Sequence, residues 1–218
     1  NRAKAIACVS NNKQIGLAIM MYVGDNDDQF PPLNDRNYSS ATTNWWFRIL
    51  DKGNYITSTS VSNNVWRCPS VQDADIQTIT ISTGGSIRPE GYGPFEDTGI
   101  STTFKSVIHY YLDPSGNVQG SRKMSSIQRT SQIWLIGDVG VPKTGATINR
   151  LPTGGYYTDI TTIKPVPNFG WTTVPSNKQP ACRHNGQAVF SFCDGHVESW
   201  KWVNLDNDVG DVFAVKSF

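Results

Sequence analysis

The segment 184-HNGQAVFSFCDGHVESW-200 gathers His184, Cys193, Asp194, His196 and Glu198 into one short run. Imidazole nitrogen, thiolate sulfur and carboxylate oxygen are the donors that bind zinc or copper. The same residue types can also build a cysteine nucleophile with a histidine base and an acidic orienting group. Their spacing matches none of the common ligand patterns, and His184 stands well ahead of the others. Backbone chemistry accounts for the run more simply. Asp194-Gly195 between two alternating stretches is a strong hairpin signal. Read as a two-residue loop, it pairs Cys193 with His196, Phe192 with Val197, Phe190 with Ser199, Val189 with Trp200 and Gln187 with Trp202. Ala188, Phe190 and Phe192 then form one apolar stripe, expected to lie on a helix. The polar tip is therefore read as turn architecture, and no catalytic residue is assigned.

The rest of the chain must supply that helix and the neighbouring strands. At 218 residues it is long enough to bury a core. Seven Trp, eight Tyr and nine Phe with only 17% charged residues suit a β-rich domain with polar loops better than a helical bundle. The formal net charge of +1 and the lack of any Lys/Arg run give no nucleic-acid footprint. No apolar run approaches the roughly 18 residues that span a bilayer. The chain opens on Asn1 without an initiator Met, so targeting information is expected upstream. Four cysteines (Cys8, Cys68, Cys182 and Cys193) contain no CxxC pair. Of the three possible pairings, Cys182–Cys193 is the preferred local disulfide.

The elements follow from periodicity and punctuation. Residues 1–24 predict one helix, polar in its first half and apolar on nearly every side from Ile15 to Val23. Gly24 and the following Asp25-Asn26-Asp27 are expected to end it, and Pro31-Pro32 forbids continuation. A short helix is predicted over 44–52, with Gly53 as its cap. Strands are predicted at 65–70, 75–82, 104–113, 131–140 and 187–203, separated by loops such as GGSIRPEGYGPFEDTG. One α+β domain over 1–218 results: the helix at 1–24, then a β-rich globular part over 25–218 with a mainly antiparallel sheet.

His184, nine intervening residues, then Asp194-Gly195 reproduces the H-x9-DG signature, and here the chain resembles a known family. CVSNNKQIGLAIMMYVGDNDDQFPP (8–32), WRCPS (66–70) and SSIQRTSQIWLIGDV (125–139) also resemble pieces of the prepilin-type, processing-associated pseudopilin-like proteins of bacteria. These are similar to the major, G-type pseudopilins of type II (general) secretion. The resemblance implies a pilin-like fold, a long amino-terminal helix packed on an antiparallel sheet. It implies a non-enzymatic filament subunit of a type II secretion or type IV pilus-like system. A leader, a cleavage site and a membrane-spanning helix would precede residue 1. They would anchor the chain in the inner membrane with its globular domain in the periplasm. Implied partners are other pseudopilin subunits and inner-membrane components of the secretion system.

On this reading Arg2, Lys4, Asn12 and Lys13 are the candidate subunit contacts on the exposed helix. The resemblance also brings calcium into view, and hard oxygen ligands at alternate positions suit that ion. The candidates are Asp206, Asp208 and Asp211, followed by Asp25 and Asp27. Neither cluster completes an EF-hand loop. The alternative function is an exported carbohydrate-binding β-module that uses surface tryptophans, with Trp45-Trp46, Trp171 and the Trp200/Trp202 pair as its platform. A hydrolase around His184, Cys193 and Asp194 would need those side chains in mutual contact.

Overall fold

A computed structural model describes residues 2–32, 46–56, 65–70, 91–96, 107–108, 122–140, 158–159, 179–180 and 184–201. Helix α1 runs over Arg2–Asp25 and α2 over Trp46–Lys52. The strands are β1 (Tyr92–Glu96), β2 (Trp134–Gly140), β3 (Thr158–Asp159), β4 (Gln179–Pro180), β5 (Gln187–Phe192) and β6 (Val197–Lys201). β1, β2, β5 and β6 lie side by side in that order and pair antiparallel. The short β3 pairs parallel with β1, and β4 pairs with β2. The architecture is thus α+β, as expected, with α1 packed on β5, β6 and β2.

α1 docks through a single stripe. Its buried residues, Cys8, Asn12, Ile15, Gly16, Ala18, Ile19 and Val23, recur at the three- and four-residue spacing of one helical face. Burying Ile15 and Ile19 completely contributes about 1.5–3 kcal/mol each. At Gly16 the helix faces Ser191, where an added Cβ would sit at 3.4 Å, an ordinary van der Waals contact. The expectation that Ile15–Val23, apolar on nearly every side, is sunk into the core while the amino half is exposed is corrected. Leu17 and Met21 are 60% and 50% exposed, and the docked stripe reaches back through Asn12 to Cys8. The helix also continues through Gly24. It ends where Asp27 and Asp28 take positive φ (51° and 65°) and the Asp28 N–H bonds the Val23 carbonyl at 3.1 Å. Asp28 Oδ2 then accepts the Ser125 N–H, and the Phe30 N–H donates to the Arg122 carbonyl, which sews the helix exit to 122–126.

At the hairpin, the loop has three residues instead of two. The Gly195 N–H donates to the Phe192 carbonyl and the Phe192 N–H to the His196 carbonyl, with Gly195 at φ 87°. The extra residue shifts the register by one: Ser191 faces Val197, Phe190 faces Glu198 and Ala188 faces Trp200. This turns β6 over relative to β5, and separately β5 presents to α1 the side opposite to the one expected. Val189 and Cys193 join the core beneath α1, with Ser191 against Gly16. Phe190 and Phe192 turn to the other side, where Phe190 meets Trp134 at 4.6 Å between ring centroids and Phe192 stacks on His196 at 4.4 Å.

A bulge between Trp134 and Ile136 sends Trp134 to that second face, while Leu135 and Ile136 enter the helix-side core. Residues 65–70 are turns, not a strand, and β1 lies inside the stretch read as a loop. The predicted strand at 75–82 and all of 104–113 except 107–108 fall outside the described residues. In α2, Asn54 takes the left-handed conformation after the helix (φ 57°), and the Tyr55 ring packs over Gly53. No helix among the described residues is long and apolar enough to cross a membrane.

Candidate metal centre

Four buried side chains from four separate segments meet under α1. Cys8 comes from the helix, Cys68 from the turn at 65–70, Asp138 from β2, and His184 from the bridge that leads into β5. Their ligand atoms all lie within 4.8 Å of one another. Cys8, Cys68 and Asp138 are 0% exposed and His184 6%, so the cluster is closed to solvent.

Each member is placed by its local chain. Cys8 lies one turn before Asn12 on the docked stripe, and the Asn12 side-chain amide donates back to the Cys8 carbonyl at 3.2 Å. The turn that carries Cys68 is pinned by Trp66, which packs edge-on against Trp46 (5.7 Å) and Phe47 (6.4 Å). Asn11 Nδ2 also donates to the Arg67 carbonyl at 3.0 Å, tying that turn to α1. Asp138 pairs with Tyr92 across β1 and β2. Its Oδ2 accepts the Val189 N–H at 2.8 Å, so the carboxylate stands in the ladder where a carbonyl would. His184 is held by a tight reversal: its N–H and C=O exchange hydrogen bonds with Gln187 across Asn185 (φ 54°) and Gly186 (φ 78°). Both central residues have positive φ, the conformation that an Asn-Gly pair adopts in a two-residue hairpin turn.

Within the cluster, Cys8 Sγ donates to Asp138 Oδ1 at 3.3 Å. His184 Nε2 lies 3.4 Å from Asp138 Oδ2 and 3.7 Å from Cys68 Sγ. The other ring nitrogen, Nδ1, is 3.3 Å from Ser70 Oγ. Burial alone would lower the His184 pKa, yet the hydrogen bonds to Asp138 and Cys68 push it up to about 9. Burial, followed by the Cys68 hydrogen bond and the Asp138 charge, raises Cys8 well above the ordinary thiol range. Without a cation, then, His184 pairs with Asp138, and burial holds Cys8 as a thiol. Two sulfurs, one carboxylate and one imidazole are also a ligand set for a borderline-soft divalent metal.

Of the residues singled out in sequence, only His184 enters this cluster. Cys193 lies at the opposite end of β5, about 20 Å along the strand at 3.3 Å per residue. It is a free, buried thiol whose N–H bonds the Ile133 carbonyl, so the expected Cys182–Cys193 disulfide is not made. Its side chain points into the core beneath α1, and burial raises its pKa. Cys182 itself lies outside the described residues. Asp194 sits on the exposed tip, where it accepts the His196 N–H at 3.1 Å and pairs with the His196 ring. His184 and Cys193 lie at opposite ends of a strand, so those two side chains are not in contact.

Asn12, expected at a subunit surface, is 0% exposed. Arg2, Lys4 and Lys13 are exposed as expected. Among the described residues the four-member cluster is the one grouping of three or more metal-competent His, Cys, Asp or Glu side chains. Asp25 and Asp27 do not belong to it. Asp206, Asp208 and Asp211 lie outside the described residues. Trp46, Trp66 and Trp134 are core residues, and Trp200 is half-buried against Phe190 and Phe192. Trp45, Trp171 and Trp202 lie outside the described residues.

Cys8, Cys68 and Asp138 were missed because each is unremarkable in its own segment. The legible signal was Asn185-Gly186, a hairpin dipeptide as strong as Asp194-Gly195 and directly adjacent to His184. Comparison of the chain with protein-family models, with curated proteins and with solved structures finds no match in any of the three.

Proposed function

We propose that this chain is a non-enzymatic, pseudopilin-like subunit of a type II secretion or type IV pilus-like filament, whose α1 packs against α1 of neighbouring copies. One observation supports the reading above others. The large exposed apolar residues among those described are Ile6, Leu17 and Met21 (62%, 60% and 50%), and all three belong to α1. At about 100° per residue they fall in one stripe about 60° wide, opposite the stripe that docks on the sheet. A helix that needed only its own domain would present polar residues there. This one has two apolar faces, and the outer one matches a helix that is shared between subunits. The H-x9-DG resemblance agrees with that use and adds an inner-membrane anchor, with the globular domain in the periplasm.

The test is made on the complete gene product. Exposure to a prepilin peptidase is expected to remove a short basic leader and leave an N-methylated amino terminus, and Leu17→Glu in that product is expected to abolish filament assembly. The same substitution in the soluble domain should change its stability by no more than about 0.5 kcal/mol, because Leu17 touches little of its own domain. A plain secretory signal with no apolar helix, or filaments unaffected by Leu17→Glu, would sink the proposal.

A further inference from the structure

We propose that Cys8, Cys68, Asp138 and His184 form a structural zinc site that clasps α1 to the sheet. The proposal stands on the cluster alone and holds whether or not the chain assembles into filaments.

The donor set is the first argument. Two thiolates select a borderline-soft ion over Ca²⁺ or Mg²⁺, and a fourth protein ligand closes the site as structural zinc centres are closed. The spacing is the second. Zn–S bonds of about 2.3 Å and Zn–N or Zn–O bonds of about 2.0–2.2 Å place tetrahedral ligand atoms about 3.3–3.8 Å apart. The separations are 3.3 Å from Cys8 Sγ to Asp138 Oδ1 and 3.7 Å from Cys68 Sγ to His184 Nε2.

The surroundings are the third argument. His184 Nδ1 lies 3.3 Å from Ser70 Oγ; as a ligand the ring would donate Nδ1–H there and turn its Nε2 lone pair to the ion, the arrangement that orients metal-bound imidazoles. The Val189 N–H, bonded to Asp138 Oδ2 at 2.8 Å, orients the carboxylate in the cluster. Donors also converge on Cys8 sulfur. Asn12 Nδ2 lies 3.6 Å from it, and the Tyr92 hydroxyl bonds it while accepting from Asn11 Nδ2 at 3.3 Å. Such donors suit a thiolate.

Binding breaks two S–H bonds and forms two Zn–S bonds. The imidazolium of His184 also gives up its Nε2 proton, so three protons pass to solvent, and Asp138 and His184 complete the tetrahedron with no change in oxidation state. The rival chemistry is oxidation of Cys8 and Cys68 to a disulfide, which would use two of the four groups and exclude the ion.

The test uses the reduced 218-residue chain, titrated without air with Co²⁺ and then Zn²⁺. The expected result is one Co²⁺ per chain with the intense visible absorption of tetrahedral, thiolate-bound cobalt, bleached by stoichiometric Zn²⁺. Cys193→Ser should keep that spectrum, and Cys68→Ser and His184→Gln should lose it. As those two could unfold the chain, Ser70→Ala provides a milder probe. It keeps all four ligands, should weaken zinc binding roughly 10–100-fold, and should leave the metal-free Tm unchanged. The proposal fails if folded, reduced protein shows no such spectrum, if the spectrum survives Cys68→Ser, or if Ser70→Ala binds zinc as tightly as the parent. It fails equally if peptide mapping finds a Cys8–Cys68 disulfide forming in air despite excess Zn²⁺.

Discussion

Gly137 leaves no room for an added methyl group. A Cβ there would fall on the edge of the Phe190 ring, 2.9 Å from both Phe190 Cε1 and Trp134 Nε1. Carbon atoms rest at about 3.5–4.0 Å, so something must move by more than half an ångström. The Phe190 ring has little freedom to yield, because Trp134 meets it at 4.6 Å and Trp200 at 6.5 Å, both edge-on. Gly137→Ala therefore pushes β2 away from β5 across the pair Gly137–Phe190. Overpacking of this kind costs about 1–3 kcal/mol, and the enclosed ring places this case in the upper half of the range. The backbone entropy regained by replacing glycine, about 0.5–1 kcal/mol, offsets only part of it. With a urea m-value of roughly 2 kcal/mol/M, a net loss of about 2 kcal/mol lowers the unfolding midpoint by about 1 M. Phe190→Leu should recover part of the loss in the Gly137→Ala background, giving a coupling energy of about 0.5–3 kcal/mol. An unchanged midpoint with an unchanged m-value would refute the packing argument, and strict additivity would show that Phe190 is not the obstacle.

Two substitutions on α1 should act in the opposite direction. Gly24→Ala meets nothing within 4 Å and Gly16→Ala meets only Ser191 at 3.4 Å, so each should gain about 0.5–1 kcal/mol of helix stability. Thermal melts showing a loss at Gly16 but a gain at Gly24 would mean that the helix and sheet tolerate no added methyl. At the hairpin tip, burial opposes ionisation of Asp194, but the His196 N–H and ring hold its carboxyl below the usual range. A depressed folded pKa means stability that is present above the unfolded value and lost as pH falls through the folded one. Carboxyl titration by NMR should place Asp194 below about 3.9, and Asp194→Asn should flatten the acid limb of the stability profile below about pH 4. A titration at or above the unfolded value would refute it.

Local signals were read well and directions poorly. α1, α2, β2 and the hairpin all follow from apolar periodicity and from Gly, Asn and Asp at the turns. The helix-facing side of β5 did not, because β5 is buried on both faces, and alternation then says nothing about which side meets the helix. One additional loop residue, seated at Gly195 with positive φ, was enough to turn β6 over relative to β5. β1 was hidden by its Gly93 and Pro94, which read as loop chemistry although the strand pairs on both sides. The cluster was least legible of all. Its members are drawn from residues 8 to 184, and only the antiparallel order β1, β2, β5 and the docked face of α1 bring them together.

The docked stripe of α1 also sets how the domain answers a pull. From Cys8 to Val23 the seam runs about 22 Å along the helix at 1.5 Å per residue. Tension along the helix axis shears the whole seam, so Ile15, Ile19 and Val23 resist together. Tension across the axis peels it one turn at a time, beginning at the amino end. There Cys8 is the first residue of the stripe to give, and it and Asn11 tie the helix to the sheet and to the 65–70 turn. The seam therefore carries polar ties at the end where peeling begins.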